Sequence, residues 1–385
     1  MQKSRIAVST LCIALLGLAA GCSSLNPFAK KPDPRNKPAA LVDFKQTLPV
    51  KAVWSTTVGK ADKYVFTPVL VGNDLYTAAA NGNITKLDVN TGNSTWKIDV
   101  GMPLTAGVGS DGDVIVVVGQ NGVILAFDNQ GKLRWKAQAS SEVLSAPAVG
   151  QGVVVVRSLD NRVIGLDAES GARKWTLQRN APPLSLRTAP GIAIANGSAY
   201  VGLAGGRLLA LALNNGGPRW EVPVGDPRGT TDLERIADIS GTPVVAGRDV
   251  CAVSYQGRVA CVDAATGQGL WWKTFSSNVG VGVDERAVYA ADEHGALNAF
   301  SRNGGTSLWR NNQLANRELS TPIASGNTVA VGDYQGYVHF FAKQDGLMIA
   351  RVATDGSPIQ ATPLLARGKF IFQTQSGTVV ALATE

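Results

Sequence analysis

The sequence predicts an all-β chain, an eight-bladed β-propeller of four-stranded antiparallel blades whose ring is closed by an N-terminal strand joining the last blade. Three observations lead there. A unit of about 40 residues recurs along the chain, the period of a propeller blade. Each copy consists of short apolar stretches separated by Gly, Asn and Asp, with no long stretch of 3.6-residue periodicity. A tryptophan closes most copies; the last copy lacks it, and an unassigned Trp-bearing strand stands ahead of the first.

The chain opens on Lys3 and Arg5, followed by an apolar run from Ile6 to Leu18 and then Ala19-Ala20-Gly21-Cys22. A short apolar run behind basic residues, ending on small side chains, reads as a secretory signal. A cysteine directly after those small residues reads as the acceptor of a diacylglycerol. Residues 1–21 are therefore expected to be removed and Cys22 to be lipidated. Ser23, where an Asp would retain a bacterial lipoprotein at the inner membrane, favours the outer membrane. In residues 22–50, Pro27, Pro32, Pro34 and Pro38 alternate with Lys30, Lys31, Arg35 and Lys37. Such a stretch cannot bury a core and is expected to be a flexible tether. Residues 51–385 are the expected propeller.

The first full copy runs from Thr67-Pro68 through Gly72, Gly82, Asp88 and Thr91-Gly92 to Trp96. Later copies close on Trp135, Trp175, Trp220, Trp271 and Trp309. The seventh has Ala350 where tryptophan is expected, and the eighth stops at Glu385 without a fourth strand. Lys51-Ala52-Val53-Trp54 supplies the missing strand, because an open ring would leave two unpaired edges. Trp54 and the six repeat tryptophans are read as wedges between blades, each burying on the order of 200 Å². Trp272 is the one outside the pattern. Asp88, Asp128, Asp167 and Asp263 recur once per blade, which assigns them to turns rather than to a metal. Cys251 and Cys261 lie five residues before and five after Gln256, so a hairpin turning at Gln256-Gly257 sets them opposite each other, as a disulfide or as two buried thiols.

Function in a repeat protein tends to sit where the copies deviate. Between the third and fourth copies, Arg179 to Arg187 holds Pro182-Pro183 and then Leu184-Ser185-Leu186-Arg187, an apolar and cationic loop of the kind partners dock on. Between the fourth and fifth, Gly225 to Ser240 carries Arg228, Asp232, Glu234, Arg235 and Asp238. Neighbouring blades should bring the two insertions together on one face.

The formal net charge is +7, of which +5 remains once Lys3 and Arg5 leave with the signal. Charges of both signs are scattered, which argues against a nucleic-acid footprint. His294 and His339 are the only histidines and fall in different copies. No Ser/His/Asp order, HExxH or phosphate-binding glycine loop is present. No cofactor is implied.

The lipobox, the tryptophan repeats of the pyrroloquinoline-quinone-enzyme type, Leu184-Ser185-Leu186-Arg187 and Arg235-Ile236-Ala237-Asp238 together resemble the BamB family of outer-membrane assembly lipoproteins. The resemblance covers essentially the whole chain. It implies a non-enzymatic scaffold on the periplasmic face of the outer membrane. Its two loops would engage the periplasmic POTRA region of BamA, alongside other Bam complex members and, in one mode, nascent outer-membrane proteins. Carried over residue by residue, it points to Leu184, Leu186, Arg187 and Asp238. The chain departs from the pattern at Ser240, where a second acidic residue is expected. Two alternatives remain: a quinoprotein dehydrogenase, which shares the repeats but needs a calcium-bound quinone and commonly adjacent cysteines, and a lipoprotein propeller serving another envelope complex.

Overall fold

The computed structural model describes residues 36–384. Cys22 and the signal expected at 1–21 lie outside the described residues. Within them the chain forms eight four-stranded antiparallel sheets. In order, blades 1 to 7 span 69–99, 109–138, 148–178, 192–223, 239–275, 281–311 and 323–353. Blade 8 combines Leu364–Ala366, Lys369–Gln373 and Thr378–Thr384 with the N-terminal strand Val50–Thr57, in which Val50 pairs with Thr384 and Thr57 with Thr378. The innermost strands of consecutive blades touch all the way round, and those of blades 8 and 1 complete the circle. Apolar residues fill both faces of the middle strands, as in Val114–Val118 and Val153–Arg157, because each blade is covered by a neighbour on either side.

The tryptophans follow one rule. In every blade the residue just before the tryptophan position is a bulge in the outer strand, for example Val53, Lys174 and Leu308. A bulge re-aims the next side chain, and here it turns the ring onto the following blade. Each of the seven indoles donates its Nε1–H to a backbone carbonyl of that blade: Trp54 to Val89, Trp96 to Asn129, Trp135 to Ala168, Trp175 to Leu213, Trp220 to Ala264, Trp271 to Arg302 and Trp309 to Lys343, at 2.7–3.0 Å. Six of these rings are buried and Trp96 is half-buried. At about 25 cal/mol per Å², each wedge contributes about 5 kcal/mol before entropy is counted. The turn that receives the ring needs glycine: at Gly216 (φ +68°) a Cβ would stand 2.5 Å from the Trp175 ring. Asp88, Asp167 and Asp263 accept hydrogen bonds from backbone N–H groups of these same turns.

The junction without a tryptophan is repacked. Opposite most tryptophans stands a small residue, Ala381, Ala126, Gly165, Ala210 or Ala299. In blade 7 the volumes are exchanged: Ala350 faces Phe340, whose ring meets Phe370 of blade 8 edge-on at 5.5 Å. Leu48 and Val50 pack against the same cluster.

That packing corrects the expected tether. Its part from Pro38 onward is not a free spacer but a strap on blades 6 and 7. Ala39 N–H donates to Ala315 O (2.8 Å), and Arg317 Nη1 donates to Ala39 O (3.0 Å). Leu41 joins the blade 6 core. Arg351 donates to Val42 O (3.0 Å) and lies 5.1 Å from the Phe44 ring centre, while Thr47 and Leu48 both donate to Ile349 O. Beneath the strap, buried Arg317 and His339 both bond Asp333 Oδ2.

Cys251 and Cys261 sit directly opposite each other in the middle strands of blade 5, with Cα atoms 4.1 Å apart, and are joined as a disulfide. Trp272 points outward and is exposed.

Candidate functional site

The two insertions follow the outer strands of blades 3 (Arg173–Gln178) and 4 (Pro218–Pro223), each leading inward to the next blade. They do meet. Asp238, one residue ahead of the innermost strand of blade 5, accepts the Leu186 N–H at 2.7 Å through Oδ2 and the Gly205 N–H at 2.8 Å through Oδ1. Gly205 lies in the hairpin of blade 4 between Ser198–Leu203 and Arg207–Ala212. One carboxylate thus ties the start of blade 5 to the first insertion and to the neighbouring hairpin. Its own backbone carbonyl accepts the Tyr255 N–H at 2.8 Å.

The sequence reading placed Asp238 in a contact patch; in the structure it faces its own chain. It is 2% exposed, and both carboxylate oxygens are spent on N–H groups of the protein itself. Ser240 also faces inward and donates to Ser277 O at 2.6 Å, so an acidic residue here would be buried against a carbonyl.

What Asp238 supports is exposed. Leu184 and Leu186 are 46% and 36% exposed. Arg187 takes a left-handed backbone conformation (φ +52°), unusual for a residue with a Cβ, and its guanidinium pairs with Glu142 in the connection between blades 2 and 3. Thr188 Oγ1 bonds Ile239 O. At the foot of the loop, Arg179 pairs with Glu221 (3.1 Å), which also holds Arg207 (2.8 Å). Burial alone would raise the Glu221 pKa, but the two arginines more than offset it and hold the carboxyl below its usual range. A narrow crevice lies under the loop, lined by Arg157, Ser185, Arg187 and Asp238 among others. Arg157 is buried, and desolvation pushes its pKa down to about 10 against the opposing charge of Asp238.

The second insertion is folded on itself. Glu234 accepts the N–H groups of Thr230 and Thr231, which lowers its pKa, and Arg235 donates to Gly229 O. Asp226 pairs with Arg228 and Arg258. Arg228, Asp232, Glu234 and Arg235 stay on the surface. So does Leu233, at 68% exposed, which the sequence reading passed over because it stands alone among charges. Arg157 and Glu142 were missed as well, since both lie in regular repeats outside the insertions.

This geometry stands beside three comparisons with known proteins. The family model described as outer membrane protein assembly factor BamB matches residues 80–311 and 293–385. The chain belongs to the BamB family. BamB of Burkholderia pseudomallei is 41% identical over 97% of each chain, and that of Bordetella pertussis is 40% identical over 96% of this chain and 95% of its own. The crystal structure of BamB from Moraxella catarrhalis superposes with a TM-score of 0.80 at 27% identity, covering 87% of this chain and 99% of that one. A quinohemoprotein alcohol dehydrogenase from Comamonas testosteroni shares only the fold, with a TM-score of 0.68 at 14% identity over 86% of this chain and 76% of that one.

Proposed function

We propose that this BamB-family chain is a non-enzymatic scaffold of the machinery that assembles outer-membrane β-barrels. It is held on the periplasmic face of the outer membrane by lipidated Cys22 and presents Leu184, Leu186 and Arg187 to the POTRA region of BamA. Family membership supports the assembly role. The observation that carries the site is the clamped loop: two exposed leucines and a left-handed arginine, fixed from below by a buried carboxylate. Exposed apolar side chains beside a cation suit a docking patch, and a loop held rigid before binding loses little entropy on contact.

Affinity capture of the mature protein from detergent-extracted membranes tests this reading. The wild type should bring BamA down, and Leu184→Ala combined with Arg187→Ala should not, with its circular dichroism unchanged. Undiminished capture by the double variant contradicts the site. Recovery of an acyl-modified N-terminal peptide beginning at Cys22 is expected in the same preparation; an unmodified one contradicts the anchor.

A further inference from the structure

The left-handed turn at Arg187 is gripped on both sides. Ahead of it, the Leu186 N–H is held by Asp238. Behind it, the Thr188 carbonyl accepts Nη2 of Arg157 at 3.3 Å. Arg157 comes from neither insertion: it ends the strand Val153–Arg157 of blade 3 and is 4% exposed. The same Nη2 reaches Ser145 Oγ at 3.4 Å, and Nε has no acceptor among the described residues. A buried guanidinium so sparsely bonded is unfavourable unless a neighbouring charge compensates it. Asp238, on the same crevice, is that charge.

We propose that Arg157 is a positioning residue for the partner loop. It and Asp238 act as paired clamps that hold the Arg187 turn in its left-handed form and so present Leu184, Leu186 and Arg187 in one arrangement. A left-handed residue with a Cβ persists only where its surroundings over-determine it, and these two buried groups hold the peptides one residue out from Arg187 on either side, 185–186 and 188–189. This inference rests on the loop being the docking site. Its structural half can be tested without any partner.

The experiment is hydrogen exchange with mass spectrometry on the full mature chain, comparing wild type, Arg157→Met and Arg157→Lys. A peptide covering residues 180–190 should exchange about tenfold faster in Arg157→Met, the size expected for losing one hydrogen bond from a charged donor. A peptide from blade 7 should be unchanged. Arg157→Lys, which keeps the charge but loses the forked reach, should fall between, and it decides the matter if the Met variant fails to fold. Unchanged exchange over 180–190 in a folded variant overturns the proposal. Binding to a purified BamA POTRA fragment is measured alongside and should weaken by about tenfold in step with the faster exchange. Faster exchange with no binding even by the wild type leaves Arg157 as the clamp and refutes the docking reading instead. Faster exchange with binding intact in the variant shows that the turn need not be held, and overturns the positioning role.

Discussion

The carboxylate of Asp238 accepts the backbone N–H of Leu186 at 2.7 Å across 52 positions of sequence, from a place that is 2% exposed. A charge expected to face a partner instead faces its own chain. Asp238→Asn keeps the shape but turns one acceptor into a donor aimed at an N–H. Losing that charge-assisted bond is expected to cost about 1–3 kcal/mol locally. Nuclear magnetic resonance should show Leu186 and Gly205 amides shifting and exchanging faster, with blades 1 and 7 unmoved. Unshifted amides would mean that the carboxylate is dispensable to the loop.

The Phe340–Ala350 exchange predicts non-additive core mutations. Phe340→Ala should destabilise by about 3–5 kcal/mol, as for other deletions of a buried aromatic ring. Adding Ala350→Trp on that background restores the volume from the opposite strand, as in the other blades, and should recover part of the loss. Denaturant titration of both variants and of Ala350→Trp alone completes the cycle. Simple additivity would show that the two positions do not share one space.

Stability should depend on pH through His339. The ring is fully buried, and burial pushes its pKa down despite the Asp333 bond, with Arg351 and Arg317 adding to the shift. The unfolded chain therefore binds a proton before the folded one does. The contribution of neutral His339 is complete above the unfolded value of about 6.5 and is lost as pH falls below it. The melting temperature should drop between pH 7 and 5.5, and His339→Gln should flatten that segment. An unaltered slope in the variant would assign it to another group.

The disulfide closes a short loop within blade 5, between residues ten apart. Replacing both Cys251 and Cys261 by alanine should lower stability by about 3 kcal/mol in urea titrations, without changing capture of BamA, because the sulfurs lie inside the blade. A loss below about 1 kcal/mol would make the bond incidental.

How legible each feature was depended on how local its signal is. The blades, the closing strand and the tryptophan wedges are written as a period, so Trp54 and the truncated last copy were enough to close the ring. The insertions stood out as breaks in that period. The burial of Asp238 was not legible because a buried carboxylate and a solvated one read alike: the N–H groups that decide between them belong to Leu186 and Gly205, in segments far away in sequence. Arg157 was invisible because it sits in register within a regular strand. The strap from Pro38 was hidden by the prolines and lysines before it, and because the arginine clamps on it grip backbone carbonyls, which leave no side-chain pattern. Its Leu41, Phe44 and Leu48 were the signal available.

On the docking proposed above, the clamped loop, rather than another face of the ring, meets the POTRA region. Site-specific photo-crosslinking in intact cells tests it most directly, with the photoreactive residue placed at Leu184 or, as a control, at Leu347, which is more exposed still but lies in blade 7. Crosslinks from position 184 to the POTRA segment of BamA, with none from 347, are the expected result. Crosslinks to BamA from 347 and none from 184 would contradict the account.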